Sequence, residues 1–426
     1  MKSKPAYLWI LALWLICLSC ATTQVQDIKP GEKPALESDE AGLWMAMDDI
    51  EANLKTSGRI EHDPDLNAYV KKILCKLQPD YCNDIRYVIV QTPHFNASMA
   101  PNGFMQVWTG LMLRAQNEAQ LAYVLGHEMG HYQRRHSLKQ WRTIRNTSSA
   151  LIFLQIVAAG AGVGFAGDIA YLVAMAGIFA YSRDMEREAD DFGFEFMADA
   201  GYDFHEAANI WQALIEERDA ADQPDQFILF ASHPTSSERV NTLRKMADHL
   251  ESQGRYGESY QREYLDATGP FRAKWLKNEL RKRDFAASQV VLKHLFNTGD
   301  RPGELHYYQG ELYRMRAQEG DVEKAIASYQ KALSHEKYPP AALRSLGLLF
   351  WKARKFEDAK DSFNNYLVVN PDAPDYEMIK SYLEELQQND QKQRDYPAGN
   401  RFFTERLCAL HTGRAGQKRH GRRLQY

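Results

Sequence analysis

Residues 117–131 read NEAQLAYVLGHEMGH and residues 181–193 read YSRDMEREADDFG. Asn117 to Leu125 is a stretch of good helix formers without proline or glycine, so the HEMGH that follows is read on a helix. There His127 and His131 lie one turn apart on one face, and both imidazoles can point at one metal ion. Glu128 is turned aside from that pair and can reach water held by the metal. A catalytic zinc takes three protein ligands and keeps a fourth position open. The second stretch offers the third. Glu186 and Asp190 are four apart on a second helix, with Met185, Ala189, Phe192 and Phe196 on its core side. Glu186 can ligate, while Asp190 can hydrogen-bond a ligand imidazole and fix its tautomer. Zinc brings the pKa of its water to about 7, and Glu128 is then the general base of peptide hydrolysis. The competing reading is a solvated helix with two unrelated histidines.

These two stretches resemble zinc metallopeptidase family forty-eight, the HtpX-like and CAAX prenyl protease type. The resemblance extends outwards to Phe95-Asn96-Ala97, Asn102-Gly103-Phe104 and Thr109-Gly110-Leu111, and downstream to Ser232-His233-Pro234 with Arg239. It covers roughly residues 40–250. It implies one Zn2+ per chain on His127, His131 and Glu186, with Glu128 as base and Asp190 behind the ligands. In the periplasmic members of the beta-barrel assembly-enhancing type, the histidine matching His233 can close the open metal position. His233 is thus read as a regulatory fourth ligand or as a transition-state donor. A third reading makes it only the start of a helix.

The 426 residues suit two or three domains, and 44% hydrophobic with 25% charged is ordinary globular composition. A net charge of −4 argues against a nucleic-acid partner. The charge is uneven, since residues 401–426 hold seven Arg and Lys against Glu405 alone. Residues 1–19 are expected to be a signal peptide, with Lys2 and Lys4 before the apolar run from Ala6 to Ser19. Leu18-Ser19-Cys20 resembles the end of a lipobox, which makes Cys20 a lipid anchor and residues 20–40 a polar tether. An ordinary secretory signal is the alternative. Cys75 and Cys82 flank a Pro-Asp turn signal and can either close a small loop in an oxidising periplasm or stay free thiols.

The peptidase domain is expected over 41–262 as an α+β fold, mostly helical with a small sheet. Its strands are read at Arg86–Gln91 (RYVIVQ) and Met105–Thr109 (MQVWT), and a strand edge there could hold an extended peptide. The apolar segment from Ser149 to Ala180 is read as a helical hairpin, buried or facing a membrane, whose glycine-rich centre could serve as a lid. A single spanning pass would separate His131 from Glu186. An all-α tetratricopeptide-repeat domain is expected over 268–395. Ala325 precedes Ala359, and Tyr329 precedes Phe363, by 34 residues. Gly310, Leu312 and Gly347 fit the same pattern, with a weaker copy around Ala287 and Val291. The tail 396–426 is expected to be disordered.

These features lead to an exported zinc endopeptidase of the bacterial envelope, periplasmic and anchored to the outer membrane at Cys20. Its repeats would recruit unfolded or misassembled envelope proteins, or the outer-membrane β-barrel assembly machinery. The rival is a chaperone or scaffold with latent peptidase activity. A many-pass membrane protease is disfavoured by the single internal apolar segment.

Overall fold

The computed structural model describes residues 25–145, 181–221, 233 and 237–395. The expected signal peptide, Cys20, the apolar segment 149–180 and the basic tail lie outside the described residues. Among those described, no helix is long and apolar enough to cross a membrane.

Helix α1 (Asp39–Lys55) is capped by Ser38, whose hydroxyl accepts from the Ala41 amide. Strand β1 (Ile60–Glu61) follows, then α2 (Pro64–Leu77), started by an Asp63 cap with proline in its first turn. Strands β2 (Arg86–Val90), β3 (Ala97–Met99) and β4 (Phe104–Trp108) complete a four-stranded sheet in the order β1-β2-β4-β3. The two runs read as strands in the sequence are β2 and β4. They pair in parallel, Arg86 opposite Phe104 and Val90 opposite Trp108. Val88, Ile89 and Val90 are buried in succession, as an inner parallel strand requires. Strand β3 is antiparallel to β4 and forms the sheet edge next to the histidine helix.

That helix, α4 (Glu118–Gln133), is reached through the short α3 (Thr109–Arg114) and is buried along its whole length. Its polar side chains therefore need internal partners. Asn117 caps it by accepting from the Gln120 amide at 2.9 Å. Glu118 accepts from the hydroxyls of Tyr69 and Tyr202, both at 2.7 Å. After α5 (His136–Arg145), helix α6 (Arg183–Asp199) crosses α4 almost backbone to backbone. A Cβ on Gly193 would lie 2.7 Å from the His127 amide nitrogen. One on Gly126 would lie 3.2 Å from the Gly193 carbonyl oxygen, and one on Gly130 would lie 3.0 Å from Phe192 Cβ. The small stripe Gly126/Gly130 on α4 meets Ala189/Gly193 on α6, which brings Glu186 to the histidines.

Residues 25–38, expected as part of a tether, run along this domain instead. Ile28 is buried, its amide donates to the Gln133 carbonyl at 3.0 Å, and Tyr81 donates to its carbonyl at 2.8 Å. Asp27 pairs with Arg134 at 2.5 Å and Glu32 with Arg135 at 2.5 Å. A buried isoleucine, a helix-end carbonyl that accepts its amide and two ion pairs dock this mostly polar strap. The Cys75–Cys82 disulfide is formed beside it.

Helices α7 (Glu206–Ala220), α8 (Ser237–Ser252) and α9 (Gln261–Arg281) close the domain. Packing runs past the boundary expected at 262–268. Tyr264 of α9 donates to the Met112 carbonyl at 2.5 Å, and Arg114 is clamped between Glu217 and Glu279 at 2.6 and 2.9 Å. The compact division falls between Ala325 and Ile326. Before it come α10 (Phe285–Asn297) and α11 (Pro302–Arg316), and α12 (Asp321–Leu333) straddles it. In the second unit, α13 (Ala341–Lys352) and α14 (Phe356–Val369) meet where a Cβ on Gly347 would lie 2.6 Å from the Phe363 ring. Helix α15 (Tyr376–Asp395) follows, with Tyr382 against Trp351.

Replacing Gly193 by Ala forces α6 off α4. An overpacked contact of this kind costs about 1–3 kcal/mol, so urea unfolding should shift by that much and zinc retention should fall with it. Unchanged stability and metal content would mean that the two backbones are not in contact.

Candidate active site

Four side chains converge between α4 and α6. His127, His131, Glu186 and His233 are all buried, and one ligand atom from each lies within 4.8 Å of the others. His127 Nε2 is 3.1 Å from His131 Nε2 and 3.3 Å from His233 Nδ1. Glu186 Oε1 is 3.3 Å from His131 Nε2 and 2.9 Å from His233 Nδ1, and its Oε2 is 3.6 Å from His127 Nε2. A zinc ion with bonds of about 2.0–2.1 Å at tetrahedral angles sets its donors about 3.3 Å apart. The separations quoted, 2.9–3.6 Å, are close to the edge length of such a tetrahedron, so these residues fit the metal.

Glu128 faces the same centre, with Oε1 3.5 Å from His233 Nε2. Burial lifts its pKa, with the His233 and His127 imidazoles opposing, so its carboxylate is more basic than a solvated one. Asp190 sits behind the ligands, its Oδ1 3.0 Å from His127 Nδ1. The same oxygen accepts from the Tyr123 hydroxyl at 2.7 Å. Arg239 joins two carboxylates, donating to both Asp190 oxygens at 2.5 and 2.7 Å and reaching Glu186 Oε2 at 2.9 Å. Burial pushes the Asp190 pKa up, but the Arg239 guanidinium outweighs it and holds the group far below its usual range. Glu186 is likewise raised by burial and then held low by the His233 and His131 rings.

The structure thus brings together all seven side chains singled out in the sequence. It adds four that the motifs do not flag. Tyr123 bonds Asp190, and Trp211 donates to the Tyr123 hydroxyl at 3.1 Å while its ring lies 4.3 Å under the Arg239 guanidinium. Tyr181 stacks on His131 at 3.9 Å, and His136 contacts the far side of that imidazole. For Tyr123 and Trp211 no local pattern exists, since their role arises only when α7 and α8 fold over α4. For His136 the sequence shows only a third histidine five residues past His131, a spacing that on a continuous helix would turn it away from that residue.

Two crossed helices thus present a buried His-His-Glu set with a further carboxylate, Glu128, beside it. The chain matches Peptidase family M48 over residues 60–247. It is similar to metalloprotease YcaL of Escherichia coli, at 32% identity over 163 residues, 38% of this chain and 61% of that one. Similarity to mitochondrial metalloendopeptidase OMA1 of Schizosaccharomyces pombe is 31% over 160 residues, 37% and 45% of the two chains. With the beta-barrel assembly-enhancing protease of Yersinia pestis it is 25% over 219 residues, 48% and 44%. The aligned stretch spans about half the length of the curated relatives it matches.

Arg239→Met would leave Asp190 and Glu186 buried without their cation. Breaking one partner of such a set costs about 3–5 kcal/mol, to be read from the unfolding midpoint of the full chain. A change below about 1 kcal/mol would place Arg239 outside the network.

Proposed function

We propose that this chain is a zinc endopeptidase of the bacterial cell envelope, held latent by His233. The observation that carries the reading is the near-tetrahedral set of His127, His131, Glu186 and His233 with Glu128 beside it. His127 and His131 would hold zinc through Nε2 and Glu186 through its carboxylate. Bound zinc would supply a Lewis acid that makes water nucleophilic near neutral pH. Glu128 takes the proton of the attacking water on its carboxylate and passes it to the leaving amine nitrogen. Its position beside the converging donors supports this role, since a general base must stand within reach of the proton it takes. Strand β3, at the sheet edge among the described residues and with the Met99 backbone hydrogen-bonded to Glu128, can pair with an extended substrate segment.

His233 Nδ1 stands where a fourth ligand would. In that position it denies the metal its open site, so activity requires that His233 withdraw. The same geometry favours the second reading, an assembly chaperone or scaffold whose peptidase activity stays latent. The two differ in whether removal of His233 releases cleavage.

Location and partners rest on other features. The signal-like run and Cys20 support an exported lipoprotein of the outer membrane, and the formed Cys75–Cys82 bridge suits an oxidising compartment. Relatives named for β-barrel assembly support misassembled envelope proteins as substrates and the β-barrel assembly machinery as a partner. The helices that follow the peptidase domain are read as tetratricopeptide repeats. Ala325, Ala359, Tyr329 and Phe363 are all wholly buried at the repeat's spacing, and such an array offers a concave surface for an unfolded chain.

Glu128→Gln should keep zinc near one per chain and lose cleavage of an unfolded protein by at least about 100-fold. Retained cleavage would remove Glu128 as the base. His233→Ala should raise cleavage above wild type. A drop would instead make His233 a donor to the reacting carbonyl, and equal activity would leave it without either role.

A further inference from the structure

The two histidine ligands are held from behind by different means. For His127 the partner is a carboxylate, Asp190. For His131 it is another imidazole. His131 Nδ1 lies 2.9 Å from His136 Nδ1, and His136 Nε2 lies 2.7 Å from Glu188 Oε2. His136 is wholly buried. The other Glu188 oxygen pairs with Arg134, which in turn pairs with Asp27 of the strap.

The order of protons along this chain is determined. An imidazole that gives its Nε2 lone pair to a metal carries its proton on Nδ1. His131 must then donate to His136, so His136 Nδ1 is the acceptor. The His136 proton therefore sits on Nε2 and is donated to Glu188. No other placement of two protons makes both hydrogen bonds. The backbone is shaped to permit this. On one continuous helix His136 would point about 140° away from His131, five residues on at about 100° each. Arg135, at φ 51°, breaks the helix and turns α5 so that His136 comes back to His131.

We propose that His136 is a positioning residue for the metal ligand His131. It fixes the tautomer that leaves Nε2 for zinc, and Glu188 fixes it in turn. The inference rests on the reading of His131 as a ligand through Nε2. The competing role for His136 is that of buried filler, for which ring volume alone matters.

Zinc affinity of the full chain, measured by competition with a chromophoric chelator at fixed pH, separates these roles. His136→Asn places an amide oxygen where Nδ1 stands and keeps the acceptor. His136→Phe keeps the ring volume and loses the acceptor. We expect His136→Phe to bind zinc about 10–100-fold more weakly, and His136→Asn to stay within about threefold of wild type. Wild-type affinity for His136→Phe, or equal loss in both variants, would overturn the proposal. Melting of the metal-free proteins shows whether each variant folds. If His136→Phe does not fold, Glu188→Ala takes its place, with a several-fold loss expected and no loss overturning the idea. His131→Ala is run alongside. If that variant retains zinc, the ligand assignment fails rather than the role of His136.

Discussion

Everything at this site depends on how closely α4 and α6 approach. Two helices with ordinary side chains between them sit 8–10 Å apart, whereas small residues let α6 press onto α4 at the level of Glu186, His127 and His131. Glycine at 126, 130 and 193 removes the intervening atoms; a Cβ on Gly193 or Gly126 would meet backbone of the facing helix, and one on Gly130 would meet the Phe192 Cβ. The helices then cross at the residues that carry the donors. A glycine costs helix stability, and the three at this crossing exchange that cost for close approach of the two backbones.

Burial is the second constraint. A helix hidden along its whole length leaves no water to solvate two imidazoles and two carboxylates, so every one must find a partner inside the protein. Asp190 serves His127, His136 serves His131, and Arg239 balances Asp190 and Glu186 together. Polar groups arranged in this way hold the ligands in one orientation before metal arrives, which lowers the ordering that binding would otherwise require. The strap at residues 25–32 continues the network to the surface through Asp27 and Arg134. The stretch expected as a tether from Cys20 therefore touches the histidine helix at its C-terminal end.

The convergence of the two helix pairs was legible in the sequence because each obeys helix periodicity. His127 and His131 are four apart, as are Glu186 and Asp190, and each pair shares a face whatever the rest of the fold does. Strands β2 and β4 were legible for the same reason, their β-branched runs being bounded by turn residues. His233 and Arg239 came from resemblance to the family, and no spacing rule links them to residues a hundred positions earlier. His136 was missed because its approach to His131 depends on one left-handed residue, Arg135, which no local preference marks. The docking of the strap was hidden because its composition is polar, and the burial of Ile28 and the Asp27–Arg134 and Glu32–Arg135 pairs exist only in the fold. The extent of the peptidase packing was also hidden, since Glu279 and Arg114 are 165 residues apart and only the fold pairs them.

The central claim is that two histidines and a glutamate hold zinc while a third histidine closes the site. X-ray absorption at the zinc edge on the purified full chain tests it most directly. The account predicts four light donors at about 2.0–2.1 Å, with the outer-shell scattering of three imidazoles falling to two in His233→Ala. A zinc shell with no imidazole scattering, or with the same three imidazoles after His233 is removed, would contradict it.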